Sequence, residues 1–315
     1  MHFAIVDIVD PALAERLAEA GHRCTALHGL ADAELAPRLG DVDGIVVRNR
    51  PLPGTMLAHA PGLRVVGRVG AGLENIDQPW CAAHGVQVLN APEGNRDGVG
   101  ETCVMLLLAL MKHLVRAGTA VRAGQWPREA NRGRDLAGKT VGIIGHGHMG
   151  GAFAAKLAGF GVQVLAHDKY RTGFGGGHVT ECPLDRLLAE SDAISLHLPL
   201  NDETRHYADA DFFARLGRPI WFLNTSRGPL VRTTALLHAL DQGRVIGAGL
   251  DVLEFETPDL SRLDPTADPA TLRRLLAHER VLITPHIAGV THEGRVKMAE
   301  VLAAKLIRTF PHARH

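Results

Sequence analysis

The segment from Thr140 to Asp168 constrains the fold of this chain more than any other. "TVGII" is a short, mostly β-branched apolar run, "HMGGAFAAKLAGFG" carries an Ala-rich helical pattern, and "VQVLAHD" is a second strand-like run. Between the first run and the helix stand Gly145, Gly147 and Gly150, in the spacing G-x-G-x-x-G. A strand, a glycine turn, a helix and a second strand in succession form a right-handed βαβ unit with parallel strands. Such a unit buries its sheet only within an α/β architecture, with helices on both faces.

A glycine triplet alone is a weak signal; its flanks give it meaning. Gly145 permits a tight turn, Gly147 lets the backbone approach a pyrophosphate, and Gly150 lets the helix pack close to the strand. The unpaired N–H groups and the dipole at the start of the helix favour phosphate charge. Asp168, eighteen residues beyond Gly150, can accept hydrogen bonds from adenosine ribose hydroxyls and would repel a 2′-phosphate. The expected ligand is therefore NAD rather than NADP, with Arg171 nearby weakening that preference slightly. The same loop contains His146 and His148, which raise a metal as an alternative. A stable site needs three or four convergent ligands, and the loop holds no Cys, Asp or Glu, so no metal is expected. A buried glycine turn without cofactor is the remaining alternative.

The rest of the chain repeats the alternation. Strand-like runs are "HFAIVDI", "GIVVR", "LRVVGRV" and "VQVLN" in the first hundred residues, then "AISLHL", "PIWFLN", "VIGAGLDV" and "RVLITP" after the glycine loop. Helical patterns cover Pro11–Ala20, Thr102–Ala123, Met149–Gly159, Thr233–Gln242 and Glu293 to about Thr309. These are too many strands for one compact sheet, and 315 residues suit two domains. "APEGNRDGVG" is rich in turn-formers and predicts a boundary near Asn95–Gly100, followed by a long helix from Glu101 to about Ala123. "GFGGG" (Gly173–Gly177) predicts a flexible turn.

Composition excludes several classes. Lys plus Arg equals Asp plus Glu at 34 each, so no basic field argues for nucleic acid. The longest apolar run, Cys103 to Met111, is too short to span a bilayer. The N-terminus places Asp7 and Asp10 where a signal peptide would be apolar. Cys24, Cys81, Cys103 and Cys182 are scattered without a C-x-x-C pair, as expected of reduced thiols in a cytoplasmic protein.

Polar residues stand at the ends of the later strands, where open α/β sheets bind ligands. They are His197 in "SLHLPL", Arg227 in "NTSRGPLV", Asp251 and Glu256 in "GLDVLEFE", and His286 in "TPHIAG". Any one of them reads equally as a solvated surface group; five in one register beside a dinucleotide loop point to chemistry. An imidazole can move a proton near neutrality, a carboxylate beside it fixes the ring and favours its charged form, and a guanidinium fork can hold a carboxylate and polarise a carbonyl.

With these motifs in order, together with "GRVGAGLENID" (Gly67–Asp77) and "NAPEGNRDGVGE" (Asn90–Glu101), nearly the whole chain resembles the D-isomer-specific 2-hydroxyacid dehydrogenases, near their phosphoglycerate dehydrogenase-like branch. The resemblance implies two Rossmann-like or flavodoxin-like domains, with the nucleotide-binding domain (98–285) inserted into a discontinuous substrate-binding domain (1–97 plus 286–315). It implies closure of a cleft between them, and hydride transfer between the nicotinamide of NAD and C2 of a small 2-hydroxy or 2-keto acid. Arg227, Glu256 and His286 match the catalytic set. Gly145, Gly147, His148, Met149, Gly150, Asp168, His197, Pro199, Thr204, Thr225, Ser226, Asp251 and Gly289 match cofactor-lining positions. Val69 and Gly70 match the loop that meets the substrate carboxylate, and Arg227 binds the same substrate. Arg48, with Arg50 near it, matches an arginine that binds substrate phosphate in phosphoglycerate dehydrogenases, although both also read as solvated loop charges. The candidate substrates are therefore 3-phosphoglycerate, or glyoxylate and hydroxypyruvate.

The resemblance further implies a homodimer built on the helix from Glu101 and "RAGQWPREANRGRDL", although that apolar surface and Trp126 could equally pack within one subunit. The chain ends soon after its last helix, so the C-terminal regulatory domains of many phosphoglycerate dehydrogenases are not expected. A rival of another class, the NAD-sensing corepressors, shares the fold and the triad. The fit to the family pattern loosens at several points. Glu254 and Glu256 both lie close enough to serve the histidine, Glu256 being favoured by its spacing of five residues from Asp251. Thr257 intervenes before Pro258, and the stretch Pro258–Ala277 is longer than usual, predicting an extra loop and short helix. Arg232 replaces a common acidic or amide residue, a change expected to leave the chemistry untouched.

Overall fold

The computed structural model describes residues 1–257, 262–264 and 266–311. It divides into two compact units, one formed by Met1–Arg96 with 290–311, the other by Asp97–Thr257 with 262–264 and 266–289.

The first unit holds five parallel strands: β1 (His2–Ile5), β2 (Arg23–Ala26), β3 (Gly44–Val47), β4 (Val65–Arg68) and β5 (Gln87–Asn90), in the order β2-β1-β3-β4-β5. Every residue of β3 is buried, as a central strand covered on both faces must be. Helices Ala12–Glu19 and His292–Thr309 cover one face, where Leu302 is fully buried and rests on Gly67 of β4. A Cβ at Gly67 would stand 3.2 Å from Leu302 Cδ2, so the bare glycine leaves room for a leucine whose burial contributes roughly 2–3 kcal/mol.

The second unit holds seven parallel strands: β6 (Thr140–Ile144), β7 (Gln163–His167), β8 (Val179–Glu181), β9 (Ala193–Leu196), β10 (Ile220–Asn224), β11 (Val245–Leu250) and β12 (Val281–Ile283). Their order is β12-β11-β10-β9-β6-β7-β8. Chain direction across the sheet reverses between β6 and β9. This is the switch point where α/β sheets bind ligands, at the carboxyl ends of the strands.

One local expectation fails. "APEGNRDGVG" is not a turn: one helix runs continuously over Pro92–Met111, breaks at His113 (φ +54°) and resumes over Leu114–Arg122. Its glycines serve packing instead. A Cβ at Gly94 would come 2.5 Å from Met298 Cα, and one at Gly100 3.0 Å from the Ala152 carbonyl carbon. "GFGGG" does lead into a turn, at Gly177–His178. The N–H groups of Gly173 and Phe174 donate to Glu181 Oε2, and Gly176 pairs with Val179 at the start of β8. The short helix expected in Pro258–Ala277 is present as Pro269–Leu276, capped by Asp268; residues 258–261 and 265 lie outside the described residues. Among the described residues, no single helix is long and apolar enough to cross a membrane, and all four cysteines are free.

Candidate active site

The protein itself requires two of the three loop glycines. Gly145 has φ +90°, and a Cβ on it would lie 2.4 Å from the His197 carbonyl oxygen. A Cβ on Gly150 would lie 2.0 Å from the Gly145 carbonyl oxygen. Gly147 differs. It is extended (φ −87°, ψ −151°) at the N-cap of helix His148–Leu157, and a Cβ there would meet nothing within 4 Å. No side chain caps this helix, so the first-turn N–H groups, those of His148 and Met149 among them, lack a side-chain acceptor. A bare glycine before an uncapped helix start fits a diphosphate group.

Asp168 organises the same end of the sheet. Its Oδ2 accepts the His146 N–H at 2.9 Å, and its Oδ1 accepts the N–H groups of Tyr170 and Arg171, each at 3.0 Å. A carboxylate offers about four acceptor positions, so Oδ2 retains one for a ribose hydroxyl. The Arg171 guanidinium donates to the His146 carbonyl at 2.7 Å and is held on this loop. The His146 ring packs within this loop. It stacks on Phe174 at 4.4 Å between centroids, and burial followed by the Arg171 charge lowers its pKa. No group of three or more His, Cys, Asp or Glu among the described residues is placed to hold a metal.

The other candidates follow the carboxyl edge from β9 to β12. His197, just after β9, shares a hydrogen bond between Nε2 and Ser195 Oγ at 2.9 Å. Its Nδ1 is buried without a partner among the described residues, and burial, then the nearby His146, pushes the imidazole down to about 3. Thr204 spends its hydroxyl on the Pro199 carbonyl at 2.6 Å, closing the Pro199–Thr204 loop. Thr225 Oγ1 lies 3.2 Å from Cys103 Sγ, a thiol that burial pushes up to about 12.

Arg227 follows β10 on a turn braced from below. Fully buried Asn224 accepts the Ser226 N–H at 3.1 Å and donates to the Arg227 carbonyl at 2.8 Å. Ser226 Oγ reaches the Leu196 carbonyl at 2.7 Å. The turn sits directly on the segment after β11, since a Cβ at Gly228 would come 1.9 Å from the Leu253 carbonyl oxygen. That segment carries both glutamates, and the structure separates them. Glu256 Oε2 lies 2.8 Å from His286 Nδ1, and its Oε1 accepts the Leu253 N–H at 2.6 Å. Glu254 turns instead to His206 Nε2 at 2.7 Å and the Thr233 N–H at 2.9 Å. His286 stands at φ +54°, a conformation uncommon outside glycine, which the surrounding bonds enforce. Its Nδ1–H is directed to Glu256, and Nε2 makes no hydrogen bond among the described residues. An imidazole held by one nitrogen and open at the other can exchange a proton at the open one.

Residues 104–288 match the D-isomer specific 2-hydroxyacid dehydrogenase family, NAD binding domain. The chain belongs to this family. The hydroxypyruvate reductase of Thermotoga maritima is 34% identical over 87% of this chain and 87% of its own length. The D-3-phosphoglycerate dehydrogenase of Rattus norvegicus is 30% identical over 96% of this chain; the chain spans only 55% of that relative. Among solved structures, D-lactate dehydrogenase from Aquifex aeolicus, complexed with NAD and lactic acid, matches 98% of this chain and 95% of its own, with a TM-score of 0.79 and 26% identity. The chain is an NAD-dependent oxidoreductase acting on the CH–OH group of 2-hydroxyacids.

In the dehydrogenase the remaining predicted residues, Arg48, Val69 and Gly70, lie in the first unit at the carboxyl ends of β3 and β4. Asp7 Oδ2 clamps the Arg48 loop by accepting the N–H groups of Arg48, Asn49 and Arg50 at 2.8, 2.8 and 2.9 Å. Gly70, at φ +152°, lies over the Arg68 guanidinium, which a Cβ would approach to 1.9 Å. The Arg50 side chain is taken up by Asp32 Oδ1 at 2.7 Å and the Leu30 carbonyl at 2.6 Å. The Arg48 guanidinium makes no hydrogen bond or ion pair with a described residue. Sequence reading missed Asp7, Arg68, His206 and Glu254's true partner; only Asp7, an acid closing a strand, left a signal.

Proposed function

We propose that this dehydrogenase reduces a small 2-ketoacid such as hydroxypyruvate or glyoxylate to the D-2-hydroxyacid. The observation that carries this reading is the 2.8 Å pairing of His286 Nδ1 with Glu256 Oε2, beside the turn that carries Arg227. When bound, NADH supplies the hydride that becomes the C2–H bond. Arg227 holds the substrate carboxylate and polarises the ketone oxygen. His286 gives that oxygen the proton on Nε2 and keeps its Nδ1–H on Glu256, whose charge stabilises the imidazolium before transfer. The bare first turn after Gly147 binds the diphosphate, and Asp168 the adenosine ribose. The Val69–Gly70 loop also meets the substrate carboxylate.

A second reading, a phosphorylated ketoacid, is favoured by one observation: the Arg48 guanidinium has no hydrogen-bond or ion-pair partner among the described residues. NADH oxidation with hydroxypyruvate, glyoxylate and 3-phosphohydroxypyruvate separates the two. Arg48→Ala should cut kcat/KM for the phosphorylated acid alone; an equal loss for all three removes Arg48 from substrate choice, and no turnover of any removes the reading altogether.

The working form is taken to be a cytoplasmic homodimer. Met105, Leu114, Val115, Val121 and Trp126 are exposed along helices Pro92–Met111 and Leu114–Arg122 and just beyond them, and so large an apolar surface suits a partner subunit. A light-scattering mass of 33.8 kDa would rule out a stable dimer.

A further inference from the structure

We propose that His206, with Glu254 and Arg232, is a positioning residue that fixes the Arg227 turn against the Glu256–His286 pair. The proposal rests on the reading that Arg227 and His286 act on one substrate.

His206 is held at φ +55°, a conformation a histidine adopts only under constraint. Its backbone N–H donates to the Pro229 carbonyl at 2.7 Å, two residues after Arg227. Its neighbour Ala208 continues the stitching: the Ala208 N–H donates to the Leu230 carbonyl at 2.9 Å, and the Arg232 N–H returns to the Ala208 carbonyl at 3.1 Å. The ring then reaches the other half of the site, with Nε2 2.7 Å from Glu254 Oε1. Arg232 Nη2 lies 3.1 Å from Nδ1. A guanidinium only donates, so Nδ1 accepts and Nε2–H donates to Glu254; the two neighbours choose the tautomer.

Glu254 is fixed at its other oxygen too. Helix Thr233–Asp241 starts at Arg232, which offers no side-chain cap, and Glu254 Oε2 accepts the Thr233 N–H instead at 2.9 Å. One glutamate therefore ties the helix after the Arg227 turn, the His206 loop and the backbone two residues from Glu256. Arg232 enters the chemistry through this route, although the sequence alone placed it outside. Within the Glu254–Glu256 stretch, the two carboxylates serve two histidines: one pair faces the reaction, the other holds the frame.

The test replaces His206 with Leu, which removes both ring bonds and leaves the Glu254–Thr233 bond in place. Hydroxypyruvate reduction should lose at least tenfold in kcat. The kinetic isotope effect with 4-deuterated NADH should rise, because the chemical step becomes more limiting. Oxamate, an unreactive 2-ketoacid isostere that needs Arg227 and His286 together, should bind the NADH complex at least fivefold more weakly, with NADH Kd within twofold. His206→Gln, whose amide can both accept from Arg232 and donate to Glu254, should restore most of the loss. Unchanged kcat and oxamate affinity would overturn the proposal, as would a lower kcat with an unchanged isotope effect, which signals only less active protein. Should His206→Leu not fold, Arg232→Leu removes the ring's outer partner and is held to the same outcomes. Full turnover by His286→Asn would instead refute the underlying reading of the site, and the positioning role with it.

Discussion

Asp251 and His286 are joined backbone to backbone, the His286 N–H donating to the Asp251 carbonyl at 2.8 Å. The Asp251 carboxylate, 1% exposed, gathers the rest of that loop: Thr284 Oγ1 at 2.5 Å, and the N–H groups of Ile287 and Ala288 at 2.9 and 2.8 Å. A left-handed non-glycine residue costs on the order of 1–2 kcal/mol, and these charge-assisted bonds hold His286 there.

Asp251→Asn turns one acceptor oxygen into an NH₂ group facing a donor. Losing one or two such bonds in a buried site should lower unfolding free energy by about 2–4 kcal/mol and reduce kcat more than it raises KM. Urea unfolding and steady-state kinetics measure both. Stability unchanged within experimental error would mean that other contacts hold the loop.

Gly147→Ala and Gly150→Ala should fail in opposite ways. At Gly147 the new methyl meets no protein atom within 4 Å, so stability should change by less than about 1 kcal/mol while NADH Kd rises at least tenfold. At Gly150 the methyl collides with the Gly145 carbonyl, and overpacking should cost about 1–3 kcal/mol. Tight NADH binding by Gly147→Ala, followed by fluorescence, would put the diphosphate elsewhere.

Replacing Asp168 with Ala removes the charge that opposes a 2′-phosphate and leaves Arg171 beside the vacated space. The ratio of kcat/KM for NADPH over NADH should rise at least tenfold. A ratio that stays put would show that this carboxylate only braces the loop, through its three bonds to backbone N–H groups.

His197 makes stability depend on pH. Its folded pKa, about 3, lies below the ordinary value near 6.5, so the unfolded chain binds the proton first as pH falls. Stability from this group is whole above about 6.5 and is lost between there and about 3, at up to about 1.4 kcal/mol per pH unit. Comparing urea unfolding of the unaltered protein and His197→Gln from pH 7 to pH 4 isolates it: the difference should shrink steadily toward acid. A constant difference would mean that the ring protonates freely in the folded state.

Much of this was legible because parallel strands buried on both faces must be apolar runs, and β3 and β10 are buried at every position. β2 and β8 were not legible. Both are short outer strands with polar residues such as Arg23 and Glu181, and pairing on one side alone demands little of sequence. Pro92–Met111 was misread because glycine breaks helices by propensity, whereas Gly94 and Gly100 are placed for close approach to Met298 and Ala152, a tertiary fact. Spacing favoured Glu256 over Glu254, yet only the position of His206 explains where the other glutamate goes. The hydrogen bonds around Asp251 and His206 join residues dozens of positions apart and have no linear signature.

The left-handed backbone at His286 also bears on laboratory evolution. Glycine or asparagine would sit there with less strain, so a library screened only for heat tolerance should drift toward those residues at position 286. Such a screen would enrich robust, silent proteins, and the lineage worth keeping would be the less hardy one that still consumes NADH.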